Sequence, residues 1–305
     1  MILLDKFNLS GLSLSSKVIM APLTRRRSTR AHIPDPIMIK YYGQRSTAGL
    51  IIAEGCSPSA NGAGYANMPG LYNNSQKQAW IPITKAVHDK GGKIFLQVMH
   101  TGRVGHINNL DKGSEIIGPS AIPQEGEIAT YDYDKQPYTT PREMTLDEIK
   151  IAIDEFTNCS KLAIEAGFDG VEIHGAHGYL PNQFFNQSSN TRKDEYGGDI
   201  ENRLRFLLDI IKGSCQAIGS DKVALRISPF SYADTKENPL TLCRLYKTLI
   251  EELNSFDLSY LHLSHMGEAY PEKFKLWKEL RSTYKGTLML CGDFTKDTAA
   301  EALRN

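Results

Sequence analysis

Residues 167–180 read GFDGVEIHGAHGYL. The segment GFDGVEI has the look of a buried strand, short, β-branched and bounded by glycines. It is followed at once by His174, His177 and Tyr179, three titratable groups within six positions. A core strand that ends in such a cluster points to a site built on the strand's C-terminal end.

Other runs of the same kind lie on both sides: VIMAPL (18–23), LIIAEG (50–55), KIFLQVMH (93–100), VALRIS (223–228), YLHLSH (260–265) and TLMLCG (287–292). They are apolar on both faces, as parallel strands covered by helices must be. Between them stand amphipathic stretches with recognisable ends. TLDEIKIAIDEFTNCSKLAIEAG opens with a capping box, Thr145 with Glu148, places Ile149, Ile153, Phe156, Cys159 and Leu162 on one face, and stops at Gly167. ENRLRFLLDIIKGSCQAIG repeats the plan up to Gly219. SQKQAWIPITKAVHDKGG does so up to Gly91 and Gly92, with Pro82 expected to kink the helix or delay its start.

Repeated β-then-α units imply a doubly wound open sheet or a (β/α)₈ barrel. No GxGxxG follows the first run, which removes the main support for the dinucleotide fold. Polar residues stand at the C-terminal ends of many different runs: Thr24, Glu54, Gln97, His100, His174, His177, Arg226, His265 and Asp293. A barrel gathers those ends into one mouth, so the barrel is the expected fold. FNLSGLSLSS before the first strand reads as a hairpin plugging the barrel floor. Residues 101–144 are too long for a structureless loop and are expected to form a lid inserted after the third strand. Its Tyr131, Tyr133 and Tyr138 either line a substrate cavity or are solvated.

The chain has 305 residues, 41% hydrophobic and 23% charged, with 35 basic and 35 acidic residues. One barrel domain over 1–305 accounts for that length. A zero net charge argues against nucleic acid or an anionic membrane as partner. No run approaches the roughly 20 apolar residues of a membrane span, and the N-terminus lacks a secretory pattern, so a cytoplasmic monomer or homodimer acting on a small molecule is expected. The five cysteines are dispersed without a CxxC pair, which disfavours iron–sulfur and structural zinc sites. A metal held by His174 and His177 would lack a nearby third ligand, so no metal is expected.

MAPLTRRRS, IIAEG, LQVMHTGR, VEIHGAHGYLPNQFFNQSSNTRKDEYGGDIENRLRF, ALRISP and LHLS follow in order a pattern that resembles the old yellow enzyme family of flavin-dependent ene-reductases. The resemblance runs along essentially the whole chain, and the 170–206 stretch is its most specific part. It implies a (β/α)₈ barrel holding FMN at its mouth, reduced by NAD(P)H. The reduced flavin would then reduce enones, enals, nitroalkenes or nitrate esters. His174 and His177 match the His/His pair that binds the substrate's carbonyl or nitro oxygen, where hydride addition builds negative charge. A preorganised donor there is worth roughly 2.7–4 kcal/mol. Tyr179 matches the proton donor, a phenol of pKa about 10 that stays protonated at neutral pH. Tyr65 is implied at the substrate.

For the cofactor, Thr24 matches the threonine at the flavin C4 carbonyl. Ala21, Pro22, Leu23 and Gly55 match positions that bring backbone against the ring. Gln97, a buried amide in need of partners, matches the residue at the pyrimidine edge. Arg226 matches the arginine beside N1 and O2; the lesser alternative is one half of a structural ion pair. Gly292 and Asp293 match the phosphate-binding turn. Arg192 and Asp194 shape the loop after the fourth strand.

The chain departs from the family pattern at its end, where KDTAAEALRN stands in place of a completed seventh helix and an eighth strand. The expectation is a C-terminally truncated barrel lacking its eighth β/α unit, with open strand edges, poor solubility and weak FMN binding. An inactive fragment is therefore one alternative function. A dienoyl-CoA reductase relative is another, though those carry further domains and an iron–sulfur cluster.

Overall fold

Every strand of the main sheet alternates between two kinds of neighbour, and that alternation decides what faces inward. The structure, a computed structural model, describes residues 2–132, 134–234, 236–264 and 272–304, the side chains of Tyr232 and of residues 272–277 excepted. His265 and Tyr133 therefore lie outside the described residues.

In chain order the elements are β1 (Phe7–Leu9), β2 (Leu12–Leu14), β3 (Ile19–Met20), α1 (Ile37–Gly43), β4 (Leu50–Cys56), α2 (Asn74–His88) and β5 (Ile94–Val98). Then come β6 (Ile117–Gly118), β7 (Glu127–Ala129), β8 (Lys135–Pro137), β9 (Arg142–Glu143), α3 (Leu146–Glu165) and β10 (Gly170–His174). The last third holds α4 (Leu180–Phe185), α5 (Ile200–Ile218), β11 (Val223–Ile227), α6 (Pro239–Leu253), β12 (Tyr260–Ser264), α7 (Glu272–Thr283), β13 (Leu288–Cys291) and α8 (Lys296–Ala302). Seven strands form one parallel sheet in the order β13-β12-β11-β10-β5-β4-β3. The strands follow the chain around the sheet, with a helix after nearly every one. This is a curled α/β sheet of the TIM-barrel type, and its edge strands β3 and β13 are not paired with each other.

The outward residues Ile51, Ala53, Leu96, Val98, Val171, Ile173, Leu225, Ile227, Leu261 and Leu263 pack into one core with the helices, among them Phe156, Phe206, Leu207, Ile210, Leu245 and Leu249. The inward residues near the floor, Leu50, Ile52, Phe95, Ala224 and Tyr260, form a second cluster with Leu9 and Leu14 of the β1–β2 hairpin. The hairpin plug expected from FNLSGLSLSS is thus present. Its turn uses left-handed backbone at Ser10 (φ 47°) and Gly11 (φ 91°), the geometry of a two-residue hairpin turn.

The helix ends fall where the capping residues put them. Thr145 and Glu148 form the reciprocal capping box of α3, and Gly219 ends α5 with φ 91°. Pro82 does not delay its helix. Asn73 caps α2 by accepting from the Gln76 amide at 3.0 Å, so the helix begins before the proline and runs through it. The exposed position of Pro82 and Gln78 lets water serve the carbonyl that Pro82 leaves unbonded. The first strand is also shorter than the run VIMAPL suggests, because only Ile19 and Met20 pair with β4.

Residues 101–144 carry a 3₁₀ turn (Ile107–Asn109), a parallel β6–β9 pair and an antiparallel β7–β8 hairpin. Buried Asn109 donates to the carbonyls of Gly64 and Ala129, both at 3.1 Å. Arg192 donates to the carbonyls of Pro119 (2.9 Å) and Met144 (2.6 Å) and pairs with Asp194 at 2.6 Å. That is the structural part expected of the charged NTRKDEYGG loop.

Leu9 and Leu14 are each 2% exposed. Replacing either with alanine should destabilise the chain by about 2–5 kcal/mol, since it opens a cavity in the barrel floor. Urea denaturation followed by circular dichroism measures this; a loss under about 0.5 kcal/mol would show that the hairpin does not plug the barrel.

Candidate active site

The alternation that puts Phe95 and Tyr260 on the inner face carries Gln97, Glu172, His174, Arg226, His262, Ser264 and Cys291 to the same side, nearer the C-terminal rim. The apolar floor thus gives way to a polar layer and then to the mouth.

The polar layer is organised by Glu172, which is fully buried. A buried carboxylate must be paired or fully hydrogen-bonded. One oxygen accepts from Gln97 Nε2 at 2.7 Å. The other accepts from Tyr260 Oη at 3.1 Å and lies 2.8 Å from His262 Nδ1. Burial alone would raise the Glu172 pKa, but His262, Arg226 and Gln97 hold it below the usual carboxylate range. Burial alone would lower that of His262, and Glu172 raises it above the ordinary imidazole value. The pair is therefore an ion pair beneath the mouth.

The rim is the turn after β10. His177 (φ 56°) and Gly178 (φ 78°) both adopt left-handed backbone, unusual for histidine and free of strain for glycine. Neighbouring groups hold the backbone of this turn at several points. His177 N donates to Ser228 Oγ at 2.8 Å, Gly178 N to Asn182 Oδ1 at 2.8 Å and Tyr179 N to Ala176 O at 3.2 Å. Gln183 Nε2 donates both to Gly178 O (2.7 Å) and to Thr101 O (2.9 Å), tying this loop to the one after β5. Leu180 N donates to His100 O at 2.9 Å. The strained conformation persists because α4 and two neighbouring loops fix it.

That turn brings three sequence-predicted residues together. The ring centroids of His174 lie 5.4 Å from His177 and 5.0 Å from Tyr179. Tyr65 joins them, its hydroxyl 3.1 Å from that of Tyr179. His177 Nε2 lies 3.0 Å from Ser264 Oγ, which also accepts from Arg226 Nη2 at 3.0 Å. Among the described residues no carboxylate forms an ion pair with Arg226, so the structural salt bridge considered from sequence is absent. Its Nε, and the Nδ1 of His174, are buried without a partner. Buried polar atoms without partners at the mouth of a pocket are what a polar, planar ligand would satisfy.

The electrostatics are uneven. Burial, then the nearby His177, Arg226 and His262, push the His174 pKa well below the ordinary imidazole value. Burial does the same to His177 and to His100, each to about 3. His100 Nδ1 accepts from Gly102 N at 3.0 Å, which places the proton of its neutral ring on Nε2.

The other predicted residues are dispersed along the rim. Gln97 is buried but its Nε2 is engaged by Glu172. Ala21 and Pro22 are partly buried, and Leu23 and Thr24 exposed, at the end of edge strand β3. Their loop is anchored by Glu54, whose Oε2 accepts from the amides of Arg25 (2.9 Å) and Arg26 (3.2 Å) while Tyr42 donates to Oε1 at 3.0 Å. Gly55 lies at the register shift of β4, against the side chain of Met99. Gly292 and Asp293 follow β13, the first partly buried and the second exposed. Tyr131 packs under the guanidinium of Arg30 and accepts from Asn67 N at 3.3 Å; Tyr138 is half-buried. A groove of about 700 Å³ beside β3 is lined by Ala21, Leu23 and Arg25 but by none of the histidines or Tyr179. Sequence reasoning passed over Glu172, His262 and Ser264. Counting in twos along GVEIH and YLHLS would have turned them inward with His174.

The family profile described as "NADH:flavin oxidoreductase / NADH oxidase family" matches residues 4–305. The chain is 37% identical to the "Probable flavin mononucleotide-dependent alkene reductase" of Leishmania infantum, spanning 100% of this chain and 84% of that protein. It is 36% identical to 12-oxophytodienoate reductase 2 of Arabidopsis thaliana, over 99% of this chain and 81% of that one. Among solved structures, the old yellow enzyme homologue from Zymomonas mobilis superposes with a TM-score of 0.94 at 38% identity, covering 100% of this chain and 86% of the other. Morphinone reductase in complex with tetrahydroNAD gives 0.91 at 37% identity, covering 99% and 83%.

The depressed histidines make stability depend on pH in a stated sense. Each stays neutral in the fold while the unfolded chain takes up a proton below about pH 6.5. Their contribution is therefore complete above about 6.5 and lost as pH falls towards the folded values of about 3 for His100 and His177. Chemical denaturation between pH 7 and 5 should show stability falling, by up to about 1.4 kcal/mol per pH unit for each histidine. His100→Asn and His177→Asn should each flatten that slope; an unchanged slope in both would show that these rings are not held neutral.

Proposed function

The chain belongs to the NADH:flavin oxidoreductase / NADH oxidase family and is an oxidoreductase, and from that premise we propose that it is an FMN-dependent reductase of activated alkenes. The observation that carries this reading is the cluster at the end of β10: His174, His177 and Tyr179 face one another, with Tyr65 against Tyr179 and the partnerless Nε of Arg226 beside them. Two imidazoles, a phenol and a guanidinium at one rim suit a flat substrate lying over a flat anionic cofactor.

FMN would be held by the backbone of Ala21, Pro22, Leu23 and Gly55, by the side chains of Thr24, Gln97 and Arg226, and at its phosphate by the turn at Gly292 and Asp293. The orphan Arg226 Nε fits this assignment. When bound, FMN supplies the redox chemistry, accepting a hydride from NAD(P)H and delivering it to the alkene.

The chain's own residues supply the rest. His174 and His177 bind the carbonyl or nitro oxygen of the substrate. Kept neutral by burial, each can offer an N–H as a hydrogen-bond donor without carrying the acidic extra proton of an imidazolium. The contact with Ser264 sets the orientation of the His177 ring. Tyr179 holds the proton destined for the substrate's α-carbon at its Oη, and Tyr65 steadies that oxygen from the other side. Residues 101–144 cover the mouth as a lid, anchored at Asn109 and Arg192, and exclude water. Enones, enals, nitroalkenes and nitrate esters share the acceptor oxygen that this geometry addresses.

Purified protein should be yellow, with flavin absorption in the blue and near ultraviolet. Tyr179→Phe should slow the alkene half-reaction by about 10²–10⁴-fold while flavin reduction by NAD(P)H stays within about two-fold, because only the alkene half-reaction consumes a proton from an acid. Stopped-flow absorbance separates the two; equal slowing would assign Tyr179 to packing. The double variant His174→Ala, His177→Ala should keep its flavin and lose the long-wavelength band that phenols give with a bound flavin. An unchanged phenol titration would remove the histidines from the substrate site.

A further inference from the structure

Behind the active turn stands a second buried carboxylate. Asp234 ends the 3₁₀ turn Tyr232–Asp234 after β11 and is fully buried. Such a group needs a cation or a set of donors. Here three donors meet it. Its Oδ1 accepts from Asn186 Nδ2 at 3.2 Å, and its Oδ2 from Ser231 N and Tyr246 Oη, both at 3.3 Å. The donors belong to three pieces of the fold: Asn186 follows α4, Tyr246 stands on α6, and Ser231 lies in the loop after β11.

Two of these pieces anchor the turn that presents His177 and Tyr179. Ser231 N donates to Ser228 O at 3.2 Å, and Ser228 Oγ accepts from His177 N at 2.8 Å. Asn186 Nδ2 also donates to Asn182 O at 3.3 Å, and Asn182 Oδ1 accepts from Gly178 N at 2.8 Å. Ala233, next to Asp234, packs against Gly178, where an added Cβ would lie 3.2 Å from the Ala233 methyl. Both loops contain left-handed backbone at a residue other than glycine, His177 (φ 56°) and Phe230 (φ 59°), which persists only under support from outside.

We infer that Asp234 is a positioning residue: its carboxylate clamps the loop after β11 to α4 and α6 and so sets where His177 and Tyr179 stand. Its effect on catalysis rests on the proposed alkene-reductase function; the clamp itself does not.

The clamp works in its ionised form. A charged carboxylate holds three donors more strongly than a neutral carboxyl, which would set an O–H against one of them. Burial raises the Asp234 pKa to about 6, with Asn186, Ser231 and Tyr246 opposing. The group is therefore ionised at pH 7 and takes up its proton as pH falls through 6. Its surroundings supply no competing switch. Tyr246 on α6 keeps its proton, because burial and Asp234 push its pKa up. Arg203 on α5 donates to Phe185 O and has Glu237 and Asp199 as its charged neighbours. His177 on the active turn is held neutral, with a pKa of about 3. Asn182 and Asn186 carry no charge.

The test uses the full chain as purified and two readouts. Hydrogen exchange of the peptide spanning residues 174–183, followed by mass spectrometry, reads the turn directly and needs no flavin. The long-wavelength band of 4-methoxyphenol with bound flavin reads the substrate site; its hydroxyl, with a pKa of about 10, does not titrate in the acid range. Asp234→Asn keeps the size and removes the charge. At pH 7 it should speed exchange in that peptide and weaken 4-methoxyphenol binding, each about ten-fold, while flavin content and exchange in α3 and α5 stay as in the wild type. The wild-type affinity for 4-methoxyphenol should fall on acidification with a midpoint of about 6, and that midpoint should be absent in Asp234→Asn. If the asparagine variant does not fold, Tyr246→Phe decides. Losing one donor should move the midpoint above 6, and an unmoved midpoint overturns the inference. Unchanged exchange in a folded Asp234→Asn, or a midpoint that survives in it, also overturns the inference. A chain that binds no flavin refutes the alkene-reductase reading, and the exchange readout then decides the clamp alone.

Discussion

Parallel strands all point their C-terminal ends the same way, and in this chain everything functional follows from that constraint. A parallel connection must cross back outside the sheet, so each strand is followed by a covering segment, most often a helix, and the next strand starts again at the floor. Seven strands wound in chain order therefore deliver seven strand ends to one rim. His174, Arg226, Ser264 and Cys291 come from four different strands, yet they meet because they share a height and a face.

The interior beneath that rim is layered. Leucine, isoleucine and aromatic side chains from the hairpin plug and the strand starts fill the floor, where nothing polar could be satisfied. Above them the Glu172–His262 ion pair, with Gln97 and Tyr260, spans the barrel as a single hydrogen-bonded layer. A buried ion pair adds little stability, because desolvation offsets most of the attraction. What it does is fix the polar groups under the mouth in place. Burial first, and then the nearby Arg226 and His262, hold the His174 and His177 rings neutral.

Presentation at the rim depends on a turn that the local sequence tolerates but does not favour. Left-handed backbone at His177 is unfavourable on its own. The amides of Asn182 and Gln183 on α4, Ser228 after β11 and the carbonyls of Thr101 and His100 hold it there. The active turn is thus assembled by three loops and a helix, and the spacing of His174, His177 and Tyr179 is a property of that assembly.

The strands, the helix caps and the barrel-type winding were legible in the sequence because they rest on local rules: alternating or continuous apolar runs, a Thr–Glu box, glycine stops. The cluster of His174, His177 and Tyr179 was legible too, since a turn of six residues keeps its members near one another whatever surrounds it. That α2 starts ahead of Pro82 was not legible, because the exposure that makes the break tolerable depends on what packs where. Glu172, His262, Ser264 and Cys291 were not recognised as one network, for the same kind of reason. Each is an ordinary residue in its own strand, and only the register between strands more than fifty residues apart sets imidazole against carboxylate and guanidinium against thiol. Sequence determined which residues would stand at the rim; tertiary packing decided which of them touch, because hydrogen bonds between strands depend on register and stagger that no single strand encodes.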